Sequence, residues 1–470
     1  MSTVDHVIAK ALVIDVTRVT DDLEYRSIRE WDSLGHVALM VALEDAYGLA
    51  IDDELTLDLR SVAAIREFVA ADRPDTPEPA AAAAPVTVAA AEPAAPSVHR
   101  GLDGITFDRT RITRIDGARG TLEYRGYSIH DLAEQARYTE VAHLLVNGAL
   151  PDAAALEVFE KQLRTDSALP RPVLDLARTL ADAHPLAVLR TCVSALGALS
   201  APPGRLTDET YEQAHRAGLA LIAQVPMIVA AHHAYRSGRE PGAPDEGASF
   251  TEAFLTALLG ERPAPSAVRL VDRAFIVHAD HSANAATFTA RVAVGCHARM
   301  HAALTAAIAA FGGSVHGGAA ERVVGLIDEV GSPADAEAYV AGLRSRGEPV
   351  MGFGHRVYRT EDPRVRHLRA TAAELAEESG DHRGLAVLDA VAAAMRPLDR
   401  HGVSPNVDLY AGLSYRLLGL PDDLAVPLFV VARTAGWVAQ ALEQHADNVL
   451  IRPLLHYVGP DSRPYPGSPS

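Results

Sequence analysis

The apolar positions of the first seventy or so residues recur at three-and-four spacing: Val4, Val7, Ile8, Ala11, Leu12 and Val16, then Leu34, Val37 and Val41, with Met40, Leu43 and Tyr47 on the same stretch. That period predicts amphipathic helices. Ser61 is placed to cap a last short helix through Phe68, with longer loops near 20–31 and 48–60. Residues 1–72 therefore read as a small helical bundle. Further on, Ile112-Thr113-Arg114-Ile115, then Asp116-Gly117, then Thr121-Leu122-Glu123-Tyr124 predicts a hairpin turning at the Asp-Gly. From Ser128 onward, Ala-rich stripes at helical spacing are broken by Pro or Gly, for example at 147–151, 201–204, 311–318, 347–354 and 402–405. No strand–helix alternation appears, so the fold class is all-α rather than a doubly wound sheet.

Composition divides this pattern. Residues 73–99 hold six prolines in 27 residues and almost no large apolar side chain, which excludes a continuous helix and a core. They read as a linker reaching ~80 Å if polyproline-like and ~30 Å as a coil. Residues 1–72 carry 6 basic and 15 acidic side chains, a net of −9. That is half of the chain's −18, and it excludes the basic stripe a nucleic-acid binder needs. Cys192 and Cys296 stand far apart, so no disulfide framework is expected and a reducing cytoplasm is. No apolar run long enough to span a membrane is expected either.

Four segments after the linker gather His, Asp or Arg beside glycine or proline: His278-Ala-Asp280-His281, Gly312-Gly313-Ser-Val-His316-Gly317-Gly318, Gly352-Phe-Gly354-His355 with Asp362-Pro363-Arg364, and Ser404-Pro405-Asn406-Val-Asp408. His278 and His281 are three apart, as metal ligands on one helical face can be, but no carboxylate partner accompanies them and no metal is expected. His232-His233 reads as helix surface, and Gly352-Phe-Gly354 lacks the third glycine and the strand of a dinucleotide loop. Taken singly, each histidine is as well explained by structure. Together they suit proton abstraction beside a carbonyl. Asp408, in a helix's first turn where the dipole favours its charge, is the base. His316 and His355, in glycine-flanked loops, are the imidazole donors. Arg364, Arg433 and Arg452 offer guanidinium forks for a polycarboxylate.

These segments, in this order, resemble citrate synthase: LEYRGYSIHDLAE (122–134), HPLAVLRTCVSALG (184–197), HADHSANAATF (278–288), SVHGGAAE (314–321), MGFGHRVYR with DPR (351–364), SPNVDLYAG (404–412), ARTAGW (432–437) and IRPLLHYVG (451–459). The resemblance covers roughly residues 101–460 of a domain drawn at 100–470, and implies a nearly all-helical homodimer with a smaller subdomain near 325–430. It also implies condensation of an acyl thioester with oxaloacetate, then thioester hydrolysis, with coenzyme A as carrier and no metal. On it, Asp408 removes the α-proton, His316 stabilises the enol, and His355 protonates the oxaloacetate carbonyl. His281, Arg364 and Arg433 hold oxaloacetate, and Arg452 reaches the partner subunit's site. Departures from the family pattern fall beside these residues: Ser314 and Ala320 for Pro and Asn, Ala286 for Ser, and Gln440 for a His. They leave the acyl donor open between acetyl and larger groups, as in 2-methylcitrate synthesis.

The N-terminal unit resembles an acyl carrier protein, through Asp32-Ser33-Leu34 at a helix start, LEDAYGLAIDDE (43–54), its size and its acidity. The resemblance implies a phosphopantetheine arm on Ser33, which offers a carrier for the acyl donor as an alternative to coenzyme A, and a phosphopantetheinyl transferase as partner. Ser33 is equally placed to cap its helix, and the two roles are compatible. A carrier that only docks another enzyme is the reading of a different class.

Overall fold

The computed structural model describes residues 3–25, 27–28, 30–31, 33–49, 51, 53–71, 98–102, 104–201, 208–242, 247–314 and 316–460. Most of the expected linker and Asp32 lie outside them. The chain divides into two compact units, Met1–Arg109 with Ile451–Ser470, and Thr110–Leu450.

The small unit is built from helices Val4–Leu12, Ser33–Tyr47, Asp53–Asp58 and Val62–Ala71. The third lies where the sequence pattern reads as a loop; its six residues are too few to register a helical period. Val16 stands outside the first helix, in a short 3-10 turn, because the helix ends at Leu12 with Val13 in the left-handed region. Ile8, Leu12, Trp31, Leu39, Met40, Leu43, Val62 and Ile65 meet in one apolar core. Ser61 caps the last helix, its hydroxyl accepting from Ala64 N at 3.1 Å. Arg66 ties that helix to the start of the chain through Asp5 (2.8 Å) and Asp21.

The large unit opens with a three-stranded antiparallel sheet, β1 (Thr113–Asp116), β2 (Thr121–Tyr124) and β3 (Tyr127–Ser128), with Asp116 opposite Thr121. The reversal occupies Gly117–Gly120, because Asp116 is a paired strand residue whose carboxylate accepts from Ala118 N and Arg119 N. The remaining regular elements are helices. Helix Ala425–Ala446 is buried along nearly its whole length and packs against helices Tyr211–Arg236, Ala285–Gly295, Tyr138–Asn147 and Pro265–His278. A helix this apolar along its length belongs in a core. Gly218 and Gly436 permit two of these close approaches, since a Cβ would come within 2.4 Å of Val438 Cγ1 and 2.1 Å of the Ala279 carbonyl.

Two helical stretches among the described residues, Tyr211–Arg236 and Asp422–Ala446, are long and apolar enough to cross a membrane by length and composition, contrary to the expectation of no such run. Their apolar windows are 67% and 100% buried inside the protein, which accounts for the composition. His232 is also not a surface residue: it is buried, with Nε2 3.2 Å from the Leu180 carbonyl.

Candidate active site

Helix Pro265–His278 ends two residues before Asp280, and the next helix begins after its cap, Asn284. His278 and His281 therefore do not share a helical face; a turn separates them. Asp280 is fully buried in that turn. Its Oδ2 accepts from Thr113 Oγ1 on β1 and from Ser282 N. The hydroxyl of Tyr124, on β2, donates to the Asp280 carbonyl (2.9 Å) and accepts from its amide (3.2 Å). The hairpin thus pins the turn that presents His281.

A second construction joins two distant loops. Phe353 and Pro405 form an isolated antiparallel bridge. Gly354 N donates to the Ser404 carbonyl and Asn406 N to the Gly352 carbonyl, both at 2.9 Å. Asn406 reinforces it, its Nδ2 donating to the Gly354 carbonyl while its Oδ1 accepts from Asp408 N. Gly352 is required here, because its φ is +87° and a Cβ would press on Leu409 at 2.8 Å. The bridge fixes the loop of His355 to the N-terminus of helix Asp408–Leu417. Beyond it, Val357 N and Tyr358 N donate to His355 Nδ1 at 2.9 and 3.1 Å. With Nδ1 occupied as an acceptor, the ring's proton resides on Nε2, which is left as the donor. The rings of His281 and His355 lie 5.1 Å apart, and Tyr358 OH is 3.2 Å from His281 Nε2.

Arg364 and Arg433, each 2% exposed, supply the charge. Arg364 is engaged by Asp362 through Nε at 2.9 Å and Nη2 at 2.6 Å. Burial works against its charge, but the Asp362 carboxylate more than offsets this and holds its pKa above the usual range. Arg433 gives Nε to the His278 carbonyl and lies 4.9 Å from the Phe429 ring. Burial pulls its pKa down to about 10 despite Asp280.

Asp408 occupies the first position of its helix, as its place after Pro405 predicts, but burial outweighs the dipole. Its pKa is pushed up to about 7, with Arg364 opposing the rise. His316 lies in the turn between helices Met300–Phe311 and Gly318–Val330, edge-on to Phe311 at 4.8 Å. Its Nε2 is buried with no hydrogen-bond partner among the described residues. Burial, then neighbouring arginines, lower the pKa of His316 and of His355 to about 4, so both rings are neutral at pH 7. A carboxylate poised to gain or lose a proton, grouped with two neutral imidazoles around Arg364 and Arg433, can run proton transfer at a carbon next to a carbonyl.

Electrostatic coupling links His281, His316, His355, Arg364, Arg433 and Asp408 within the large unit. Arg452 belongs to the other compact unit, in an exposed segment. Ser33 is the first residue of its helix in the small unit. The sequence reading assigns no role to Asp280, Asp362 or Tyr358. Asp362, two residues before Arg364, is the one whose spacing is a usable signal. Among the described residues no group of three or more His, Cys, Asp or Glu is arranged as metal ligands.

The model of the family described as citrate synthase, C-terminal domain, matches residues 101–454. Citrate synthase 2 of Bacillus subtilis is 38% identical over 78% of this chain and 97% of its own length. Citrate synthase of Haloferax volcanii is 40% identical over 77% and 96%, and 2-methylcitrate synthase 2 of Corynebacterium glutamicum 38% over 78% and 96%. Among solved structures, a ternary complex of Thermoplasma acidophilum citrate synthase with carboxymethyl coenzyme A and oxaloacetate superimposes with a TM-score of 0.75. Its sequence identity is 28%, over 78% of this chain and 98% of that one.

Proposed function

The chain belongs to the citrate synthase family, and from that premise we propose that it condenses an acyl-coenzyme A with oxaloacetate to give citrate or an alkylcitrate. Asp408 takes the α-proton of the acyl group, and His316 donates to the enol oxygen that forms. The α-carbon then bonds to the ketone carbon of oxaloacetate, whose oxygen takes the Nε2 proton of His355. Water finally cleaves the thioester, releasing the coenzyme A thiol. Arg364, Arg433 and His281 hold the oxaloacetate carboxylates. The observation that carries this reading is the bridge between residues 352–354 and 404–406, which joins a base of pKa about 7 to an imidazole with its proton on Nε2. Asp408→Ala should abolish condensation while oxaloacetate still binds by calorimetry; unchanged turnover would sink the mechanism. A purely docking role is disfavoured because a buried charge cluster of this kind costs stability without serving a surface contact.

The relatives leave the acyl group open between acetyl and propionyl, and turnover compared on the two thioesters decides it. A homodimer is supported by the exposed apolar side chains Leu454, Leu455, Tyr457 and Val458 beside Arg452, and on this reading Arg452 completes the partner's site. Closure by a smaller subdomain near 325–430 and a cytoplasmic location belong to the same reading.

Residues 1–72 are read as an acyl carrier domain tethered by residues 73–99. The small apolar-cored helical unit, the helix beginning at Ser33 and the net charge of −9 support this. Phosphopantetheine on Ser33 would supply a thiol able to carry an acyl thioester. Incubation with coenzyme A and a phosphopantetheinyl transferase should add one arm to the intact mass of the parent and none to Ser33→Ala. No added mass on the parent rejects the carrier reading.

A further inference from the structure

Helix Ala425–Ala446 carries Arg433 and, two turns later, Gln440, which is 2% exposed. The Gln440 amide bridges a buried carboxyl group and a buried guanidinium. Its Nε2 donates to Asp280 Oδ2 at 3.0 Å, and its Oε1 accepts from Arg291 Nη1 at 2.8 Å. Arg291, on helix Ala285–Gly295, also donates Nε to Gln444 Oε1 and Nη1 to Glu443 Oε2. Asp280 Oδ1 has no hydrogen-bond partner among the described residues and faces Gly436, where a Cβ would come within 2.7 Å of it. The Asp280 turn is thus pressed against the helix one turn past Arg433. On one side of Asp280 stands His281; on the other, the His278 carbonyl accepts from Arg433 Nε.

A neutral group joining a carboxylate to a guanidinium must present one donor and one acceptor, as a primary amide does. A carboxylate at this position keeps the acceptor for Arg291 and loses the donor for Asp280. An aliphatic side chain loses both.

We propose that Gln440 is a positioning residue for the condensation: by donating to Asp280 it fixes the turn bearing His281 and the counter-charge of Arg433, and so sets the affinity for oxaloacetate without touching it. This rests on the reading of the site as an oxaloacetate site.

The test uses the full chain, with oxaloacetate binding by calorimetry and steady-state kinetics on acetyl-coenzyme A or, if preferred, propionyl-coenzyme A. Gln440→Leu and the near-isosteric Gln440→Glu should each raise Kd and KM for oxaloacetate roughly tenfold, the effect of one lost charge-assisted hydrogen bond. KM for the thioester should not move. Gln444→Leu, which removes a bond to Arg291 but none to Asp280, should leave oxaloacetate affinity at the parent value. Parent-like oxaloacetate binding by Gln440→Glu overturns the proposal, and that variant carries the test if the leucine variant does not fold. Equal rises in both KM values, or a Gln444→Leu defect matching that of Gln440→Leu, make the role one of packing and overturn it too. If the parent chain itself binds no oxaloacetate, the underlying site reading fails with it, and that failure shows before any substitution.

Discussion

The two compact units hold buried polarity in different measure: the small unit leaves Arg60 Nε buried without a hydrogen-bond partner among the described residues, and the large unit leaves several such atoms. In the small unit the one outright buried polar side chain among the described residues is His36, and both of its nitrogens are engaged. Trp31 Nε1 donates to Nδ1 at 3.1 Å, and Nε2 lies 2.9 Å from the Thr56 carbonyl. In the large unit His278, Asp280, His281, Asp362, Arg364 and Arg433 are all buried. Within it His278 Nε2, His316 Nε2 and Asp280 Oδ1 have no hydrogen-bond partner among the described residues. A buried polar group without a partner costs free energy unless something else meets it. The small unit has been folded for stability, with its candidate chemistry at a helix start. The large unit gives up stability to hold charges ready for an anionic ligand.

Arg433 is where that contrast is most easily broken. Its one protein hydrogen bond among the described residues runs from Nε, whereas Arg364 is engaged twice by Asp362. Arg433→Met should weaken oxaloacetate binding by about a hundredfold, as removal of a buried charge-assisted contact does. Calorimetry showing less than a threefold change would mean that the terminal nitrogens are not a receptor.

The cost of readiness is next in size. Asp408 has a folded pKa of about 7 against an ordinary 3.8. The folded state therefore binds its proton more tightly than the unfolded state, and stability falls as pH rises from about 4 through about 7. Asp408→Asn, free of this penalty, should exceed the parent by ~2–4 kcal/mol at pH 8, with the difference closing towards pH 4. Denaturant melts at both pH values check it, and a constant difference would remove the burial argument.

The smallest effect lies in the small unit. Ser61→Ala should cost that unit about 1 kcal/mol through the lost cap, and leave condensation with free acyl-coenzyme A unchanged. A loss of turnover would show that the units are energetically one, and the comparison would need redrawing.

Much was legible before any coordinates. The three-and-four spacing announced the helices because a helix buries one stripe. The two β-patterned runs announced the hairpin, although its reversal falls on Gly117–Gly120 and not on the Asp116-Gly117 pair. His316, His355 and Asp408 stood out because glycine and proline punctuate loops that approach ligands. Less legible were the short helix Asp53–Asp58 and the burial of His232, since neither leaves a periodic trace. The dipole argument predicted an ionised Asp408, and burial reversed its direction.

Sequence by itself determined which side chains exist at loop boundaries and how the chain is partitioned by charge and composition. Tertiary structure alone decided their states and partnerships. Pairing of residue 353 with 405, of Asp280 with Gln440 and of Tyr124 with the Asp280 turn joins positions 52, 160 and 156 residues apart. Desolvation, which sets the protonation of Asp408 and the two histidines, depends on everything packed around them. Local pattern carries no record of either, because both are sums over distant neighbours.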